Sequence, residues 1–592
     1  MKSIKIFLGI IPWLICPTFV MSQDNKYPLL HYEELSDTKP HDDLYKWNRI
    51  NPAVQLYWGS TDVRYSKYNI PQDLKKKKLK IKSWKGEHIS CQAVLWTKKD
   101  LHNVSVSLKE LRCGKSIIPT KNIHPHFVRY VMTDELNKDR KSGCGNRENK
   151  AEWDSLLVAD ALDIIDRIDV QAYTTRPIWI NIDIPHDIQH GTYSGSLIIK
   201  SDQTKQMALP IEIEVINKVL TKPSEWNFFL DLWQNPYAVA RYYQVPLWSK
   251  AHFDAMRPIM KMLANAGQRV ITASIMHKPW DGQTEDHYDS MVTKIKKIDG
   301  SWKYDYAVFD KWVNFMMSDI GIDSLISCYT IIPWNLSFDY YDEATNRVQF
   351  IKTKPHETSF SDYWLPFLKD FSAHLRKKGW FEKTSISMDE RALNDTIEAI
   401  KVIKKADPDY KISLAGNYHK EIERDLYYLT IPYGNTLPAD IKSRRENNKQ
   451  ISCVYTCCVE PFPNIFTFSP PAEAAWTVLH ALAEGYDGFL RWAVNSWPND
   501  PLRDSRFRTW AAGDTYCIYP GPRSSIRFEK LMEGLQACEK IHLLTKEYKK
   551  SGNTKKLIKL NELLSKFTIK GFIKSNQTTE EVLKELHSFL NS

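Results

Sequence analysis

Two adjacent acids, Asp389 and Glu390, follow directly on the short apolar run Ser385-Ile386-Ser387-Met388. Neighbouring residues inside a strand point to opposite faces, but where the chain turns at a strand's end both can reach one pocket. Each carboxyl then raises the other's tendency to hold a proton. Cleavage of a glycoside needs such a pair. One carboxyl protonates the leaving oxygen, and a second negative group steadies the cationic sugar. The pairs Asp134-Glu135 and Asp342-Glu343 lack that place after a buried-strand pattern. The competing use of Asp389-Glu390 is to cap the next helix, because acids favour helix N-termini.

Two mechanisms fit. In one, Glu390 is general acid and then base, while Asp389 orients and charge-stabilises a 2-acetamido group on the substrate. The carbonyl oxygen of that group attacks the anomeric carbon and gives an oxazolinium-like intermediate. In the other, Glu390 is acid/base and Glu460 is a covalent nucleophile. Glu460-Pro461 also reads as a plain loop.

The elements that must position these residues are read from rhythm. Between about 221 and 550, short apolar runs alternate with amphipathic stretches. Eight candidate strands result: Trp226–Leu232, Val270–Met276, Ser324–Ile331, Thr384–Met388, Lys411–Ala415, Tyr427–Ile431, Ile451–Tyr455 and Gly488–Trp492. Leu393, Ile397, Ile400 and Ile403 share a helical face, as do Ala475, Val478, Leu479 and Leu482. Gly267, Gly321, Gly379 and Gly485 stand where helices should stop. Eight strands over about 330 residues fit a (β/α)8 TIM barrel, whose chemistry gathers at the C-terminal ends of the strands. The candidate sugar platforms on that rim are Trp233, Trp334, Trp492 and Trp497, and the polar candidates are Asn335, Arg391, Tyr418, Tyr455 and Asn495. Aromatic faces with amide and acid groups suit a polyhydroxyl ligand. Each Trp could equally pack a core, and His277 and His419 read as structural or loop residues.

The preceding segment, 23–220, favours an antiparallel β-sandwich. Trp179–Ile184 and Met207–Val215 alternate with period two, and Gly191–Gly195 reads as a turn. Such a domain could bind carbohydrate or brace the barrel. Residues 551–592 read as a helical appendage, with Leu583, Leu586 and Leu590 at helical spacing. Residues 1–22 carry Lys2 and Lys5, an apolar run from Ile6 to Val20, and a cleavable Val20-Met21-Ser22, the pattern of a secretory signal peptide. Cys16 sits in a poor lipidation box. No later segment has the roughly 18 uninterrupted apolar residues of a membrane span.

Of 592 residues, 81 are basic and 71 acidic, so the net charge of +10 falls to +8 without the leader. That excess is too mild for a nucleic-acid partner, and the run Lys75–Lys78 reads as a solvated face. Ten Cys, nine beyond the leader, are too sparse for a disulfide scaffold, and no CxxC pair suggests zinc. The chain holds 20 Trp, 29 Tyr and 23 Phe.

Several segments together resemble glycoside hydrolase family 123. They are Trp226-Asn227-Phe228-Phe229-Leu230-Asp231-Leu232-Trp233-Gln234-Asn235-Pro236, the pair Asp389-Glu390, and the stretch from Gly488 to Trp497. Trp510-Ala511-Ala512-Gly513-Asp514, Tyr519-Pro520-Gly521 and Ser525-Ile526-Arg527 belong with them. The resemblance spans roughly 220–545, and the sandwich also matches the family's layout. It implies a retaining, exo-acting β-N-acetylgalactosaminidase that uses substrate assistance, with Asp389 on the acetamido group and Glu390 as acid/base. It implies no metal or organic cofactor, and as partner a glycan ending in β-N-acetylhexosamine, such as a glycosphingolipid head group. A periplasmic or cell-surface location would follow. A retaining glycosidase using Glu460 on sugars without the acetamido group, or a non-catalytic glycan-binding protein, are the alternatives.

Overall fold

The computed structural model describes residues 32–37, 41–134, 144, 149 and 153–592. The leader therefore lies outside the described residues. The first part of the chain forms two facing sheets. One has five strands in the order Val54–Gly59, His88–Thr97, Thr174–Asp183, Ile123–Thr133, Leu156–Leu162. The other is built on Leu79–Lys85, Thr204–Val219, Gly191–Ser201, Leu101–Leu108 and Arg167–Val170. Pairing is antiparallel except between Thr204–Val219 and Leu79–Lys85, which run parallel. Inward side chains such as Leu95, Ile180, Leu197 and Ile211 fill the space between the sheets. The Gly191–Gly195 stretch is strand and not the expected turn. A Cβ at Gly195 would lie 2.5 Å from the Leu111 side chain, so glycine there admits a close neighbour.

Eight parallel strands follow: Phe229–Leu232, Val270–Ser274, Leu325–Tyr329, Thr384–Met388, Lys411–Ala415, Tyr428–Pro432, Ile451–Tyr455 and Gly488–Arg491. From the second to the eighth, each pairs with its sequence neighbour, and the eighth pairs with the first. Between first and second strands the ladder shrinks to one backbone bond, Arg269 N–H to Leu230 O at 2.9 Å. Side-chain amides complete that seam. Gln268 accepts from Leu232 N at 2.8 Å and donates to Val270 O at 2.7 Å, while Gln234 accepts from Thr272 N at 2.9 Å. Helices cover the outside, among them Lys250–Asn265, Thr358–Lys378, Leu393–Ala406, Ala472–Ala483 and Ile526–Ser551. A four-stranded sheet, in the order Trp302–Asp305, Thr293–Lys296, Ser337–Asp342, Arg347–Lys352, is inserted after the second and third barrel strands.

The C-terminal helices Thr554–Ser565, Ile569–Ser575 and Thr579–Leu590 are well seated. Leu583, Leu586 and Leu590 are buried, on a helix packed against Ala472–Ala483 and Ile526–Ser551, and the Trp84 indole donates to Leu590 O at 3.0 Å. Buried ion pairs tie the sandwich to the barrel. Asp160 accepts from Arg64 and Arg527 at 2.9 Å each, and Asp163 accepts from Arg129 at 2.7 Å and Arg523 at 2.9 Å. Among the described residues no helix is long and apolar enough to cross a membrane.

Candidate active site

A cavity of about 240 Å3 opens at the C-terminal ends of the barrel strands. Asp389 and Glu390 stand on one side, immediately after the fourth strand. Trp233 and Trp280 stack at 4.9 Å, and Trp492 meets Trp510 edge-on at 5.8 Å. Trp334, Gln283, Tyr455 and the Cys144–Cys458 disulfide complete much of the wall.

Asp389 is buried. Its Oδ2 accepts the Trp334 indole N–H at 2.7 Å, and its Oδ1 is buried with no hydrogen-bond partner. Burial pushes this carboxyl up to about 6, with a smaller push from Glu390, against the pull of Arg391 and the Trp334 N–H. Arg391 Nε lies 4.0 Å from Asp389 Oδ1, and the guanidinium covers one face of Trp334 at 4.1 Å. Arg391 therefore acts from behind, through Trp334 and Asp389. Glu390 reaches into open space, where the Tyr455 hydroxyl donates to its Oε1. Gly416 sits under Glu390, and a Cβ there would touch the Glu390 Cα at 3.5 Å.

The structure thus brings Asp389, Glu390, Trp233, Trp334, Trp492 and Tyr455 together around one cavity. Four other sequence candidates are turned elsewhere. Trp497 is fully buried, with its indole donating to Ile518 O at 2.6 Å. Asn495 clasps Asn235, accepting from its N–H at 2.8 Å and donating to its carbonyl at 2.9 Å, which ties the loops after the first and eighth strands. Asn335 is exposed and accepts from Ser337 N at 3.2 Å, closing a turn. Tyr418 packs half-buried against the core and does not line the cavity. Glu460 likewise stays outside the lining, because its Oε2 accepts the Cys457 amide at 2.8 Å and shapes the loop after the seventh strand.

Trp280, Gln283, Trp510 and the disulfide were not among the sequence-based site residues. Trp280 and Trp510 carried a signal, since both follow barrel strands, but Gln283 lies deep in a long loop. That loop is pinned in place. The Trp510 indole donates to Gln283 O at 2.8 Å, Arg508 pairs with Glu285 at 3.0 Å, and Arg241 pairs with Asp286 at 2.7 Å. Cys144 and Cys458 are 314 residues apart and join the sandwich segment to the seventh loop. Behind the cavity, buried Arg491 pairs with Asp514 at 2.6 Å and donates to Asn464 at 2.8 Å, which holds the seventh and eighth loops together. Among the described residues no group of three or more His, Cys, Asp and Glu could hold a metal ion. The arrangement offers a buried carboxyl with one uncommitted oxygen, an accessible carboxyl beside it and aromatic walls, which are the parts of a glycosidase site.

The glycoside hydrolase 123 catalytic domain matches residues 233–544, and the N-terminal domain of the same family matches residues 58–201. A solved family 123 glycoside hydrolase from Clostridium perfringens, described in terms of glycolipid glycan hydrolysis, is 26% identical to this chain. Its match covers 91% of this chain and 98% of that one, with a TM-score of 0.80. A family 5 xyloglucanase from Bacteroides ovatus, 8% identical, covers 81% and 100% with a TM-score of 0.29, too distant to bear on function. No curated protein matches the chain. Because the catalytic-domain match alone takes in more than half of the sequence, and the fold and the acidic pair accompany it, the protein belongs to glycoside hydrolase family 123 and is a glycosidase.

Proposed function

We propose that the protein is a retaining, exo-acting β-N-acetylgalactosaminidase that uses its substrate's own acetamido group as nucleophile. The observation that carries this reading is Asp389, buried, fixed at one oxygen by Trp334 and uncommitted at the other, directly beside Glu390. Ionised, that free oxygen accepts the acetamido N–H and aligns the carbonyl oxygen on the anomeric carbon. Glu390 protonates the leaving oxygen and then deprotonates the incoming water. The cavity is smaller than the ~300–1,000 Å3 that hold drug-sized ligands, which suits one terminal ring. Gln283 is the one side-chain amide in the lining among the described residues, and it can meet ring hydroxyls. Glycolipid head groups are the natural substrates we favour, by likeness to the Clostridium enzyme. The Cys144–Cys458 disulfide supports secretion across the inner membrane to the periplasm or cell surface, where disulfides persist.

The test compares chromogenic β-N-acetylgalactosaminide and β-galactoside with wild type, Asp389→Asn and Glu390→Gln. The expected result is cleavage of the acetamido sugar alone, reduced by about 100-fold or more in both variants. Cleavage of the plain galactoside, or activity surviving both substitutions, overturns the reading.

A further inference from the structure

Four large exposed apolar side chains, Ile298, Trp334, Val348 and Phe350, fall between residues 293 and 352, on or beside the inserted four-stranded sheet. The sheet runs outward from the cavity. At its inner end, next to Trp334, Thr353 N bonds Leu336 O; at its outer end Glu343 N bonds Lys296 O, near the turn that holds Ile298. Val348 and Phe350 are two residues apart on the edge strand Arg347–Lys352, so they share a face. They are 58% and 48% exposed, and Ile298 is 79% exposed. Phe350 also contacts His277 at 5.7 Å, on the loop that delivers Trp280 to the cavity wall. Trp334, itself 43% exposed, lines the cavity and stands three residues before the inserted strand Ser337–Asp342. Apolar side chains on an open edge strand invite unwanted pairing, so their retention here calls for an occupant.

The geometry points to a lipid bilayer as that occupant: the inserted sheet is a landing surface that brings the cavity mouth down onto the membrane carrying a glycolipid. This rests on reading the cavity as a site for glycolipid head groups. Aliphatic and aromatic side chains flanked by basic ones are the composition of interfacial anchors. Arg347 and Lys352 flank the stripe, are exposed, and make no ion pair among the described residues; each would add attraction to an anionic leaflet. The sheet's attachment to the cavity wall, three residues after Trp334, favours lipid over a soluble partner. A protein seated on it would stand beside the mouth at Trp334, whereas a bilayer presents its glycans to that mouth.

The test sediments the full chain and its V348D/F350D variant with vesicles of phosphatidylcholine and phosphatidylserine that contain no glycolipid. Both proteins are also assayed on soluble chromogenic β-N-acetylgalactosaminide. Both side chains are exposed, so the variant should keep the wild-type near-ultraviolet circular dichroism. The expected result is vesicle binding by wild type, weakened by about tenfold or more in the variant, with hydrolysis of the soluble substrate unchanged. Wild type remaining in the supernatant, or a variant that sediments as wild type does, overturns the proposal. Wild type that binds vesicles but leaves the soluble substrate intact overturns the substrate reading and supports the docking surface.

Discussion

The Trp334 indole N–H holds Asp389 Oδ2 at 2.7 Å, and Asp389 Oδ1 remains buried without a hydrogen-bond partner. A carboxylate anchored at one oxygen has a fixed orientation and a free acceptor, which is what an acetamido N–H requires. Trp334→Phe keeps an aromatic face and deletes the anchor. Loss of a hydrogen bond to a charged group costs about 1.5–3 kcal/mol, so kcat should fall roughly 10- to 100-fold. The acidic limb of the pH profile should move as well. Asp389 sits near 6 because burial outweighs the pull of Arg391 and Trp334, and in the proposed mechanism its ionised form is the working one. Activity should therefore fall as pH drops through about 6. Removing the Trp334 N–H raises the carboxyl further and shifts that limb to higher pH. An unmoved limb would detach Trp334 from the chemistry.

Tyr455→Phe removes the hydroxyl that donates to Glu390 Oε1 and leaves the ring in place. We expect kcat to drop by about tenfold, consistent with the loss of one hydrogen bond that orients the acid/base carboxyl. Urea unfolding should stay near wild type, because the bond lies at an open cavity and not in the core. A stability loss without a rate effect would make Tyr455 a packing residue.

Cys458→Ser opens the link between the sandwich segment and the loop after the seventh strand. Loss of a native disulfide costs about 2–5 kcal/mol in many small secreted domains. Here the bond is also part of the cavity wall, so KM should rise more than kcat falls. Reduction of wild type with dithiothreitol should reproduce the KM change. Kinetics indifferent to both treatments would confine the disulfide to stability.

His88 bridges the two domains. Its Nδ1 lies 2.6 Å from Asp183 in the sandwich, and its Nε2 lies 2.8 Å from Glu529 on the helix Ile526–Ser551. Burial alone would lower His88, but the two carboxylates overcome it and raise the imidazole to about 10. Burial works against the charge of both acids, but His124 and then His88 hold Asp183 down, and His88 holds Glu529 down. The histidine's contribution to stability is fully present below its unfolded value of about 6.5 and fades as pH climbs towards 10. The carboxylates' contribution is present above about 4.5 and fades in acid. The clamp should hold best between those limits. Urea midpoints of wild type should fall on the alkaline side, and His88→Gln should flatten that slope. A slope equal in both proteins would place the alkaline loss elsewhere.

The barrel strands were largely legible in the sequence. The expected strands Thr384–Met388, Lys411–Ala415 and Ile451–Tyr455 coincide with the observed ones residue for residue. Short apolar runs bounded by turn residues leave a buried parallel strand few other assignments. The first strand starts at Phe229 and not Trp226, because Pro223–Glu225 forms a short helical turn that delays it. The acidic pair was legible for the same reason, being tied to the end of a strand with a clear pattern.

The loop side chains were not. Trp492 and Trp497 lie five residues apart in one stretch, yet Trp492 lines the cavity while Trp497 turns inward to Ile518 O. Asn495 between them is spent on Asn235, 260 residues away. Strand periodicity is a local property, imposed by burial on consecutive residues, and a sequence displays it directly. The direction of a side chain beyond a strand's end depends on which distant carbonyl, indole or cysteine comes within reach. Tertiary structure alone decided that Gln283 and Trp510 meet, that Cys144 finds Cys458, and which aromatic residues face the cavity.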